Sequence, residues 1–182
     1  TISKYVLIEQ LGSTPLATTY RAQDPTRDVE VVLKVLRPYV VSNQHLMSRF
    51  RDEMAKISNI DHPNILKVHS YEEQGDLQWI VTEYASGPTL RQWLQAPIPP
   101  SQVMFVLNQI SNALDFAAAS GVHHGDIKPG NIFVNPETGT VVLSDFGMAM
   151  LGIEAPTGIR AAINTPLPSY SAPELGLGSA PN

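Results

Sequence analysis

Cysteine is absent from all 182 residues. That excludes a disulfide framework and any thiol chemistry, and it is compatible with a reducing compartment. Charged residues are few, at 16%, and the 12 basic residues are outnumbered by 17 acidic ones. The resulting net charge of -5 argues against a nucleic-acid surface. No apolar run approaches the roughly 20 residues that cross a bilayer, and the opening residues do not read as a signal peptide. There is no internal repeat. What is present is enough hydrophobic residue, 43%, for the core of one soluble domain. The 15 prolines concentrate at 97–100 and from 156 onward, where loops are expected.

One stretch concentrates chemistry. His124-Gly125-Asp126-Ile127-Lys128-Pro129-Gly130-Asn131 places an acid, a base and an amide on one short loop. Ile132-Phe133-Val134 and Val141-Val142-Leu143 read as two short strands, with turn chemistry at Pro136-Glu137-Thr138-Gly139 between them. A hairpin returns its second strand to the start of its first. Asn131 and Asp145 are therefore expected side by side, an amide oxygen beside a carboxylate, which suits Mg2+. Asp145 opens Asp145-Phe146-Gly147.

A second constellation lies upstream. Val29 to Leu36 is strand-like, apolar except for Glu30 and Lys34, and a lone ammonium late in it would be costly to desolvate. In the helix-rich segment 42–60, Leu46, Phe50, Met54 and Ile57 form one apolar stripe, with Glu53 on its edge. Lys34 and Glu53 are natural partners on this reading. Taken alone, the residues equally fit a solvated carboxylate and a snorkelling lysine.

These motifs resemble protein kinases, in the serine/threonine branch and of the bacterial Hanks type. The resemblance covers nearly the whole chain, from Leu11-Gly12 through Val31-Val32-Leu33-Lys34 and His62-Pro63-Asn64-Ile65 to Ala172-Pro173-Glu174. It implies an α+β bilobal fold. Residues 1–84 would form an antiparallel sheet lobe with an inserted helix, and 85–182 the hinge and first part of a mainly helical lobe. It implies ATP and Mg2+ as cofactors and serine or threonine hydroxyls of proteins as acceptors. Asp126, Lys128 and Asn131 take catalytic roles, and Asn131 and Asp145 hold the metal. Lys34, Glu53, Gly12, Glu83, Ala85 and Phe133 serve the nucleotide, with Thr82 guarding the pocket behind it. His124 is structural and packs near Phe146. His62, His69 and His123 have no metal-ligand spacing. The implied location is cytoplasmic, as a free protein or as the cytoplasmic part of a longer membrane protein.

The coarse element reading is strands over Tyr5 to Leu11, Thr18 to Ala22, Val29 to Leu36, Leu66 to Tyr71 and Gln78 to Glu83. A helix is expected from an N-cap at Ser101, with Val103, Val106 or Leu107, Ile110, Ala113 or Leu114 and Ala117 inward, ended by Gly121.

Departures from the family pattern carry expectations of their own. Of the glycine loop only Gly12 survives; Thr14 and Ala17 replace glycines and Pro15 removes an amide donor, so weak nucleotide affinity is expected. Val32 narrows the adenine roof. Gly125 stands where many kinases carry the arginine that grips a phosphorylated activation segment. Thr165 is either a displaced substitute for the usual threonine or an ordinary loop residue. Two other classes compete with the kinase: a pseudokinase acting as a scaffold, and a small-molecule phosphotransferase, in which histidine-glycine-aspartate is common. The missing initiator methionine and the early stop after Glu174 lead us to expect a fragment of a longer protein.

Overall fold

A computed structural model describes residues 1–135, 137–153 and 170. The chain divides into two compact units. One comprises Thr1–Ile60 with Lys67–Tyr84, the other Asp61–Leu66 with Ala85–Asn182.

The first unit is built on five antiparallel strands, β1 (Val6–Ser13), β2 (Ala17–Asp24), β3 (Val29–Leu36), β4 (Val68–Gln74) and β5 (Leu77–Glu83), in the order β1-β2-β3-β5-β4. Alternation along β3 sends Val31 and Leu33 to one face, where they are buried with Tyr5, Ala22, Trp79 and Val81. Lys34 therefore lies on the other face. The register aligns it with Thr19 on one side and Ile80 on the other, and Ile80 with Tyr71. Two helices follow β3: α1 (Pro38–Val41) and α2 (Gln44–Ser58). Asn43 caps α2 by accepting the Leu46 amide at 3.1 Å. The apolar stripe of α2 is buried as expected, and Phe50 meets Tyr71 edge-on at 5.6 Å. Thus α2 and Lys34 share one face of the sheet.

The strands begin and end differently from the sequence expectation. Tyr5 lies outside β1, because a tight turn bonds its amide to the Ile2 carbonyl at 3.0 Å. Its hydroxyl donates to Glu72 at 2.7 Å. Leu66 lies outside β4, because it belongs to the second unit, where its amide donates to the Leu143 carbonyl at 2.9 Å.

The second unit contains α3 (Leu90–Trp93), α4 (Pro100–Ala119), a 3-10 turn at Pro129–Asn131, the hairpin β6 (Ile132–Val134) and β7 (Val141–Leu143), and α5 (Met148–Ile153). Ser101 is not the N-cap of α4. Pro99 occupies that place without a side-chain cap bond, and Pro100 is the first helical residue, where a missing amide loses nothing. The buried face is Val106, Ile110, Ala113 and Ala117, while Val103 and Leu107 are exposed. Gly121 ends the helix in the left-handed region, at φ +71°.

The hairpin is held from two sides. Residues 64–66 run parallel to β7, with the Leu143 amide donating to the Asn64 carbonyl at 2.8 Å. From α4, Gln109 Oε1 accepts from Asn64 Nδ2 at 2.7 Å and from the Val141 amide at 2.9 Å. Gln109 Nε2 donates to the Gly139 carbonyl at 3.1 Å. One side chain thus ties the helix, the hairpin and residues 64–66 together.

Candidate active site

The 3-10 turn at Pro129–Asn131 brings the catalytic-loop groups together. Asn131 Nδ2 donates to the Asp126 carbonyl at 2.8 Å and to Asp126 Oδ2 at 3.0 Å. Both oxygens only accept, so the donor end of the amide must face them and Asn131 Oδ1 is left as an acceptor pointing elsewhere. Lys128 Nζ bonds the same Asp126 Oδ2 at 2.5 Å. Among the described residues, the two contacts to the carboxylate, from Asn131 Nδ2 and Lys128 Nζ, fall on the same oxygen. The other remains a candidate proton acceptor on a group whose side chain is 32% exposed.

The hairpin carries Asp145 back to this loop. Ile132 pairs with Leu143, and the Ser144 amide donates to the Asn131 carbonyl at 2.8 Å. Ser144 Oγ donates to that carbonyl as well, at 3.1 Å. Asn131 and Asp145 therefore flank the open end of the hairpin. Asp145 itself sits at φ +69°, in the left-handed region that non-glycine residues avoid at a cost of about 1–3 kcal/mol.

His124 joins the two halves of the site. Its Nε2 lies 2.7 Å from the Ser144 carbonyl, and its Nδ1 accepts the Asp126 amide at 3.1 Å. A carbonyl cannot donate, so Nε2 carries the proton and the ring is neutral. Burial holds its pKa below the usual imidazole range, against the opposing pull of the Ser144 carbonyl and of Asp145 and Asp126. The ring also packs on Phe146 at 4.6 Å between centroids. His62 has a local role too: its Nδ1 accepts the Asn64 amide at 3.1 Å, and its ring lies 5.0 Å from Phe116.

The residues expected to serve the nucleotide fall in both units. Phe133 lies half-buried on β6, bridged to Thr89, and Ala85 opens the second unit's run after Tyr84. Glu83 ends β5, its amide bonded to the Lys67 carbonyl at 3.0 Å. Gly12 pairs with Thr19 inside β1. Beyond it, the turn into β2 uses its own amides. The Thr14 amide donates to the Ala17 carbonyl at 2.9 Å, and the Leu16 and Ala17 amides donate to Thr14 Oγ1 at 3.2 and 3.1 Å. Arg37 fastens the turn from β3's end, donating to the Thr14 carbonyl at 3.3 Å and to Ser13 Oγ at 2.5 Å.

Lys34 is on the same sheet face as α2, and Glu53 on that helix makes an ion pair with Lys56, one turn along, at 3.1 Å. A neighbour at i+3 reaches the carboxylate without ordering a second element.

Sequence reading missed several contributors: Ser144, Gln109, the Thr14 staple, and Gly87. At Gly87 a Cβ would lie 2.7 Å from the Val134 carbonyl oxygen. Thr14 before a proline was the one visible signal; Gln109 gives none in sequence. Ala172-Pro173-Glu174 and Thr165 lie outside the described residues.

The comparisons with known proteins agree with this geometry. The profile of the protein kinase domain matches residues 5–180. Serine/threonine-protein kinase PrkC of Bacillus subtilis is 34% identical over 148 residues, 80% of this chain and 23% of the relative. Serine/threonine-protein kinase pkn3 of Myxococcus xanthus is 33% identical over 185 residues, 97% of this chain and 34% of the relative. The chain thus spans about a quarter to a third of these curated relatives. The crystal structure of the Mycobacterium tuberculosis PknI kinase domain superposes with a TM-score of 0.79 at 28% identity, covering 100% of this chain and 68% of that one. A sheet unit with a packed helix, a catalytic loop and a hairpin ending in Asp145-Phe146-Gly147, matched along nearly its whole length, make this chain a member of the protein kinase domain family.

Proposed function

We propose that this chain is the catalytic part of a serine/threonine protein kinase that transfers the γ-phosphoryl of ATP to hydroxyls of protein substrates. The observation that carries the reading is the engagement of Asp126. Lys128 and Asn131 fix one of its carboxylate oxygens, which aims the other. Asp126 orients the substrate hydroxyl and accepts its proton as the oxygen attacks phosphorus. Lys128, beside that carboxylate, stabilises the charge of the transferred group. Lys34 holds the α- and β-phosphates and Glu53 supports it, as the family resemblance implies; Gly12, Glu83, Ala85 and Phe133 serve the rest of the nucleotide.

The donor set fits Mg2+. Asn131 Oδ1, the amide oxygen turned away from Asp126, and the Asp145 carboxylate at the hairpin's open end are two hard oxygen ligands, the number this ion takes when phosphates supply others. When bound there, the ion neutralises charge on the phosphate oxygens. A cytoplasmic location, as a free protein or as the cytoplasmic part of a longer membrane protein, is part of the same reading.

The test is radiolabelled ATP with a generic basic protein and the full-length protein that contains this chain. Label should enter protein, and Asp126→Asn should abolish transfer while leaving ATP affinity nearly unchanged. An unmutated protein that transfers no more label than Asp126→Asn overturns the reading in favour of a scaffold. Label on an aminoglycoside or choline would identify a small-molecule phosphotransferase instead.

A further inference from the structure

Gly125 has a physical role of its own. Its φ is +75°, and a Cβ built on it would lie 2.7 Å from the Cβ of Ala149 on α5. Carbon atoms do not approach that closely, so a side chain at 125 and α5 in its present place are incompatible. Neither partner can give way easily. The loop is pinned through His124, which is 3% exposed and bonded on both ring nitrogens. The helix is anchored by Leu151, which is 1% exposed, and the Met150 amide bonds the Gly147 carbonyl at 3.2 Å. Ala149 Cβ is the root of its side chain, with no rotamer that moves it.

We infer that Gly125 is a positioning residue. Its bare Cα is the seat of α5, so α5, which follows Asp145-Phe146-Gly147, is held against the catalytic loop by close packing. The seat also reaches the reacting groups: the Met148 amide at the start of α5 bonds the Asp145 carbonyl at 3.3 Å, tying α5 to the left-handed Asp145. Only the activity arm of the test rests on the kinase reading.

The experiment uses the full-length protein in four forms: unmutated, Gly125→Ala, Ala149→Gly and both together. Label transfer and amide hydrogen exchange in α5 are measured on all four. Gly125→Ala should lower kcat ~10-fold or more with KM for ATP within about twofold. Exchange at Met150 should rise ~10-fold in Gly125→Ala, and Ala149→Gly should recover much of that protection when added. Recovery is partial because a left-handed φ penalises any side chain at 125. Strictly additive effects on exchange overturn the seat. A protein that transfers no label at all refutes the kinase reading, and the exchange arm still decides the seat.

Discussion

The turn between β1 and β2 and the catalytic loop solve opposite problems with the same material. Both are short and both are closed on themselves by side-chain hydrogen bonds. In the first, amide donors are engaged: Thr14, Leu16 and Ala17 bond within the turn, and Pro15 has none to offer. In the second, the self-bonding uses Asn131 Nδ2 and Lys128 Nζ and leaves acceptors, one oxygen of Asp126 and Oδ1 of Asn131. A phosphate needs donors, while a hydroxyl proton and a hard cation need acceptors. Under the proposed function, the first loop is a poor phosphate cradle and the second supplies a proton acceptor and a metal ligand. Internal saturation on that reading removes function in one place and orients it in the other.

The largest test of this contrast is Asp126→Asn. Label transfer should fall by roughly 10²–10⁴-fold, with the thermal melt unchanged within a degree or two. Next is Gln109→Ala. It leaves the Val141 amide and Asn64 Nδ2 short of a partner, at about 1–3 kcal/mol for each buried group left unsatisfied. Chemical denaturation should show the second unit destabilised and the first unchanged; equal loss in both units would mean that Gln109 does not act on the hairpin.

Acid should separate the units less strongly. His124 in the second unit and His69 in the first are both held below the usual imidazole range, burial being the first cause in each. The unfolded chain takes up protons at these sites before the folded one does. The stability they confer is complete above the unfolded value of about 6.5 and is lost as pH falls below it. The melting temperature should therefore drop between pH 7.5 and 5.5, with a shallower slope in His124→Gln. A steeper slope in that variant would contradict the neutral, doubly bonded ring.

Two small effects sharpen the comparison. Thr14→Ala releases the Leu16 and Ala17 amides, and Mg-ATP affinity should not weaken by more than about threefold, since a saturated turn contributes little to phosphate binding. Lys56→Ala removes an exposed i,i+3 ion pair from Glu53, and the melt should move by less than about 0.5 kcal/mol equivalent. A larger loss would give that pair a structural weight its exposure does not suggest.

Much of this molecule is legible in its residues because local chemistry and fold agree. β3 runs over Val29–Leu36 as its β-branched composition requires, and the α2 stripe is buried where its spacing places it. The hairpin delivers Asp145 to Asn131 because turn residues separate two apolar triplets, and both strand ends are then determined by pairing. What escaped was tertiary. Ser101 looked like a cap but Pro99 and Pro100 start the helix earlier, and Val103 looked inward but is exposed. The Gln109 bridge joins residues 45 positions apart, and no local signal marks an ordinary glutamine. The short α5 is set by its seat on Gly125, a contact between two residues whose types are individually uninformative.

The division of labour between the two loops is tested most directly by calorimetric titration of ATP into the full-length protein, with and without Mg2+, in unmutated, Asp145→Ala and Thr14→Ala forms. We predict weak binding that requires Mg2+, is lost in Asp145→Ala and survives in Thr14→Ala. Tight binding indifferent to Mg2+ and to Asp145→Ala, but abolished by Thr14→Ala, would contradict it and return the phosphates to the β1–β2 turn.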